Sequence, residues 1–113
     1  MSMTPEDFQE LLIDKWGYSF DVQIRKMANK VFFQVMWRYL EQVSFPMEEE
    51  EYLAHLKDIV LYLEAMGCLT QVQTAIEKTN ERPRLGKAVS IPIDLGRRSS
   101  EWLIDWGTVL TAD

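Results

Sequence analysis

Apolar residues recur along this chain with two different periods, and the alternation between them marks out the elements. Phe8, Leu11, Leu12 and Trp16 lie at helical spacing. They predict a first helix within "TPEDFQELLIDKWG". Thr4 can act as its N-cap, Pro5 suits the first helical position, and Glu6 and Asp7 sit where the helix dipole is positive. Gly17 follows as a C-terminal stop. The period then falls to two. Phe20, Val22 and Ile24 alternate with Asp21, Gln23 and Arg25, and Val31, Phe33, Val35, Trp37 and Tyr39 share one face of the next run. Two such runs around "MAN" predict a β-hairpin whose loop type stays open, because the turn lacks glycine. The polar side of the first run predicts a sheet face that meets water.

Helical spacing returns in "SFPMEEEEYLAHLKDIVLYLEAMG". Leu53, Leu56, Ile59, Val60 and Leu63 form a broad apolar face, with Pro46 near the start and Gly67 past the end. "LTQVQTAIEKTNERP" reads as a third helix through Leu69, Val72 and Ile76, with Thr70 and Gln73 as a capping box. Its alternative is a strand, since Val72, Thr74 and Ile76 also alternate. Farther on, Val89, Ile91, Ile93 and Leu95 alternate with Ala88, Ser90, Pro92 and Asp94. Proline excludes a central strand, which leaves an edge strand or an extended arm. "SSEWLIDWGTVL" predicts a short terminal helix, with Trp102 and Trp106 one turn apart.

These elements give an α+β fold, a small antiparallel hairpin sheet packed against three to four helices in the order α-β-β-α-α-(extended or edge strand)-α. A chain of 113 residues, about half of them apolar, fits a single domain over 1–113 with one modest core. The start of the chain lacks the basic and apolar regions of a secretory signal, and no apolar run approaches the ~20 residues of a membrane span. A cytoplasmic location follows as an expectation, and the lone Cys68 fits a reducing compartment.

Composition and spacing exclude most chemistry. His55 is the sole histidine and stands four residues after Glu51, where a solvated Glu–His pair is the simple explanation. One cysteine and one histidine cannot form the usual zinc sites. Glu48 to Glu51 would fan around a helix rather than converge on a metal, and they suit the positive end of the dipole. "LGKAVS" departs from a phosphate-binding loop, since Ala88 follows Lys87 and position 81 is Glu81. No catalytic residue, metal or cofactor is therefore assigned, and an enzyme is the less favoured class. A net charge of −6 argues against nucleic-acid binding.

The charge is unevenly spread. Arg82, Arg84, Lys87, Arg97 and Arg98 against Asp94 give the 82–98 arm a net +4, which leaves −10 for the rest of a chain at −6 overall. The plain reading is a loop that balances an acidic body. The functional reading is a docking surface for a protein partner, formed by Arg82, Arg84, Lys87, Arg97, Arg98 and Trp102. Pro83 limits the ordering entropy of binding, arginine offers bidentate contacts, and Trp and Arg are enriched in interface hot spots. Strand pairing through "VSIPI" is a further reading, limited by Pro92. The rival is a small-molecule anion binder or small enzyme using the same arginines. Peripheral membrane docking by Trp102 and Trp106 is disfavoured, because Glu101 and Asp105 repel anionic lipid.

The segments "LLIDKWGYSFDVQIR", "VFFQVMWRYLEQVSFP", "EYLAHLKDIVLYLEAMG" and "ERPRLGKAVSIPIDLGRRSSEW" together resemble a small uncharacterised family of cyanobacteria and plastids, a domain of unknown function. The resemblance runs from about Phe8 to Trp102. It supplies no catalytic residue. It implies an oxygenic phototroph, a cytoplasmic or stromal location that extends to the thylakoid surface, and a part in assembling or regulating photosynthetic electron-transport complexes.

Overall fold

A sheet strand must place its backbone donors and acceptors on a neighbour or on something that stands in for one. In the computed structural model, which describes residues 3–28 and 30–94, three strands solve this with β2 (Lys30–Tyr39) between β1 (Phe20–Met27) and β3 (Val89–Ile93). Both pairings are antiparallel. Around them lie α1 (Pro5–Trp16), α2 (Glu49–Ala65) and α3 (Leu69–Lys78). The expected α+β class and element order hold over these residues; the expected terminal helix, with Trp102, lies outside them.

Pro92 sets the phase of the ladder. It faces Phe32 and has no N–H, so that pair is a non-hydrogen-bonded one, and Ile91 and Ile93 bond to β2. By the same alternation Gln34 bonds toward Gln23, and the carbonyls of Val22 and Ile24 point away from the sheet. Helix α2 meets this outer edge. The Tyr52 hydroxyl donates to the Phe20 carbonyl at 2.8 Å, and His55 Nε2 donates to the Val22 carbonyl at 2.7 Å. One edge is thereby closed against strand addition. Burial pushes the Tyr52 hydroxyl pKa up, and the charges of Asp21 and Glu41 push it the same way. Tyr52→Phe leaves the Phe20 carbonyl without this donor. It is expected to lower stability by about 1–3 kcal/mol, read from the urea midpoint at unchanged slope.

The helices cover one face of the sheet. Val22, Ile24, Val31, Phe33, Val35, Val89, Ile91 and Ile93 are buried there against Phe8, Leu12, Leu56, Ile59, Leu63, Val72 and Ile76. Helix α1 starts with the expected cap. Asp7 N–H donates to Thr4 Oγ1 at 3.0 Å, and Thr4 N–H donates to Asp7 Oδ2 at 3.1 Å. The hairpin closes with Met27 opposite Lys30, and Ala28 takes a left-handed φ of 55° in the two-residue loop.

Three local expectations need correction. Gln23 and Gln34, on the sheet face away from the helices, are buried rather than solvated. They form a ladder across all three strands: Gln23 Nε2 donates to Gln34 Oε1, and Gln34 Nε2 donates to Ser90 Oγ at 3.0 Å. Thr70 and Gln73 form no capping box, because α3 begins at Leu69 with Cys68 as its N-cap. His55 does not pair with Glu51. The Glu51 carboxylate accepts from Glu48 N–H at 3.3 Å, and the imidazole turns to the Val22 carbonyl with Asp21 Oδ1 3.9 Å away.

Candidate docking groove

Beyond α3 the chain is strapped to the end of α1. The Trp16 indole donates to the Glu81 carbonyl at 3.0 Å, and Arg82 Nη2 donates to the Trp16 carbonyl at 3.3 Å. That carbonyl belongs to the last turn of α1, where a cation is favoured by the dipole. Pro83 is buried and anchors the arm, while the residues that follow it are exposed. Arg84 and Lys87 then close a tight turn. Lys87 N–H donates to the Arg84 carbonyl at 2.7 Å, and Arg84 N–H donates to the Lys87 carbonyl at 3.0 Å. Gly86 adopts a φ of +77°, the left-handed value a turn needs at its second central position. The first central position, Leu85, projects from the tip at 83% exposure.

Facing this arm is an aromatic wall. Tyr18 stacks on Tyr39 with ring centroids 4.4 Å apart, and Phe20 meets Tyr39 edge-on at 5.5 Å. Gly17, at a φ of 91°, bends the chain out of α1 so that Tyr18 can reach this position. Trp37 and Tyr39 come from the end of β2, where the pairing with β1 shifts register between Phe20 and Val22, and both rings are only partly buried. Between wall and arm opens a groove of about 340 Å³, lined by Tyr18, Trp37, Tyr39, Arg82, Arg84 and Leu85 among others.

The three described cations of the arm are not spent on the acidic body. Among the described residues, no carboxylate lies within 4.0 Å of Arg82, Arg84 or Lys87. Of the six sequence-predicted site residues, Arg82 and Arg84 line the groove, and Lys87 stands at the foot of the same turn. Arg97, Arg98 and Trp102 lie outside the described residues. Sequence reasoning missed Tyr18, Trp37 and Tyr39. Trp37 and Tyr39 share the phase of the core residues Val31 to Val35 in sequence, and alternation alone cannot reveal the register shift that comes after Val35.

The other candidates stay in structural roles. His55 Nε2 spends its proton on the Val22 carbonyl, so that nitrogen cannot act as a base. At β3, Gln71 occupies the strand end: its amide donates to the Asp94 carbonyl at 3.2 Å and accepts from Asp94 N–H at 2.7 Å. With Pro92 on the same edge, the room for an added strand shrinks to the stretch around Ser90. Cys68 is 1% exposed, and burial pushes its thiol up to about 11. The native protein should leave Ellman's reagent unreacted at pH 8 and react fully in denaturant; a fast native reaction would contradict its burial. The fold should also lose stability as pH rises from about 9 toward 11, because the unfolded thiol releases its proton first.

Among the described residues, no single helix is long and apolar enough to cross a membrane. No curated protein matches the chain. A solution NMR structure of the Alr2454 protein from the cyanobacterium Nostoc sp. strain PCC 7120 is similar at a TM-score of 0.81 and 60% sequence identity, covering 89% of this chain and 97% of that one. Residues 6–103 match DUF3067, described as a domain of unknown function. With nearly its whole length matched and a cyanobacterial relative of the same shape, the chain belongs to the DUF3067 family.

Proposed function

We propose that this chain is a non-enzymatic interaction module, one domain over 1–113, that docks a protein partner through the groove and the basic arm. Arg82, Arg84 and Lys87 supply the charge, and Arg97, Arg98 and Trp102, outside the described residues, belong to the same proposed contact set. The observation that carries the reading is the meeting of the arm's arginines with an aromatic wall. Tyr, Trp and Arg are the residue types that dominate interface energetics. The buried Pro83 and the tight turn at Leu85–Gly86 preorganise the arm, so that little ordering entropy opposes docking. The cyanobacterial relative supports an oxygenic phototroph as the source. In that setting the module acts in the cytoplasm or stroma, at the thylakoid surface, as an assembly or regulatory factor for photosynthetic electron-transport complexes.

The test is capture from a cyanobacterial lysate, followed by mass spectrometry, with wild type and Arg84→Glu side by side. Arg84 is the residue to reverse, because Arg82 also holds the Trp16 carbonyl and its reversal would strain the fold. The expected result is a defined partner that wild type retains and the variant loses at unchanged melting temperature. Equal capture by both would remove the arm from the reading. The unpaired arginines also favour the rival anion binder, which predicts a thermal shift with phosphorylated metabolites. The groove's open form, walled on one side by aromatic rings, favours a peptide over a small anion.

A further inference from the structure

We infer that the groove takes an extended acidic segment of its partner, with carboxylates on Arg82 and Arg84 and one aromatic residue between them set against Trp37. This rests on the docking reading above and adds the chemistry of what docks. Arg82 and Arg84 are separated by one residue, and Pro83 fixes the backbone between them. Both arginines line one groove. Arg82 commits Nη2 to the Trp16 carbonyl and keeps its remaining donors. With no carboxylate nearby among the described residues, both cations retain capacity for planar, two-pronged contact with a carboxylate. A segment with acids at alternate positions presents that pattern when extended, since residues i and i+2 then share one face.

The space between the arginines and the wall selects the middle residue. At about 340 Å³ the groove admits a side chain or two, not a folded element. Its wall consists of the Tyr18–Tyr39 stack and Trp37, which reward an aromatic insert with edge or face contacts. Polyanions of other kinds fit less well. A nucleic acid must approach a chain of net charge −6, which opposes the neutralisation of many phosphates at once. An anionic membrane is flat, and among the described residues of the arm Leu85 is the one exposed large apolar side chain.

The experiment titrates the full chain into a dye-labelled blocked peptide, Gly-Glu-Phe-Glu-Gly, and follows fluorescence anisotropy. Companion titrations use the peptide with Gln for Glu, the peptide with Ala for Phe, a uridine decamer and phosphatidylglycerol vesicles. The Glu peptide is expected to bind about tenfold more tightly than either altered peptide, and Arg84→Gln should erase its advantage over the Gln version. Rising salt should weaken the Glu peptide and spare the Gln one. Equal binding of the Glu and Gln peptides overturns the inference. So does an advantage that survives Arg84→Gln, or tighter binding of the decamer or the vesicles. The docking reading is judged separately by capture of the native partner. Partner loss in Arg84→Glu together with an indifferent peptide titration leaves docking standing and removes the acidic segment.

Discussion

Phe33→Ala will cost the domain about 3–5 kcal/mol of stability. Phe33 sits at the centre of β2, opposite Ile24 on one side and Ile91 on the other, fully buried and edge-on to Phe8 at 5.8 Å. The ring fills the space where α1 meets the sheet, and both flanking strands are fixed by their ladders. The structure therefore cannot close over the void, which is the condition for the upper end of that range. For a domain of this size total stability is about 5–15 kcal/mol, so the variant should populate the unfolded state near 37 °C. Urea unfolding should show a lower midpoint at an unchanged slope. Val43→Ala, at a fully exposed position, should shift the midpoint by less than about 0.5 kcal/mol. A Phe33→Ala loss below about 1 kcal/mol would mean that this ring is not where the layers meet.

Trp37→Ala is the corresponding test of the groove, with the effect on binding rather than on folding. Trp37 contributes to the wall that faces Arg84 and Leu85, near the end of β2. Truncating a hot-spot tryptophan costs about 2 kcal/mol or more, roughly a thirtyfold loss of partner affinity. The ring is only partly buried, so melting should move far less than in Phe33→Ala. Surface plasmon resonance against the captured partner separates the two effects. Unchanged affinity in a folded Trp37→Ala protein would place the interface elsewhere.

Local signals made much of the fold legible. Thr4, Pro5 and Gly17 bracket α1 because caps act within a single turn. Pro92 announced an edge strand, because a missing N–H matters wherever the strand lies. Features that need a distant partner were not legible. Gln23 read as solvated, because its ladder runs through Gln34 to a Ser90 hydroxyl that lies 56 residues beyond Gln34. His55 read as a helix-surface residue and Tyr52 gave no local signal, while their hydrogen bonds reach carbonyls more than thirty positions away.

The site divides in the same way. The contrast of a +4 arm with a −10 remainder was a compositional fact and drew attention to Arg82, Arg84 and Lys87. The aromatic wall opposite was hidden, since Trp37 and Tyr39 keep the phase of the core. The separate duties of the arginines were hidden as well. Arg82 reads like its neighbours in sequence, yet it also holds a helix-terminal carbonyl, whereas Arg84 forms the foot of the turn.

Amide hydrogen exchange of the full chain, alone and with its captured native partner, tests the docking claim most directly. The account predicts that slowed exchange will concentrate at Tyr18, Trp37–Tyr39 and Arg84–Lys87. Protection confined to the outer surface of α2 around Leu61 and Tyr62, both exposed, with the groove amides exchanging as before, would contradict it.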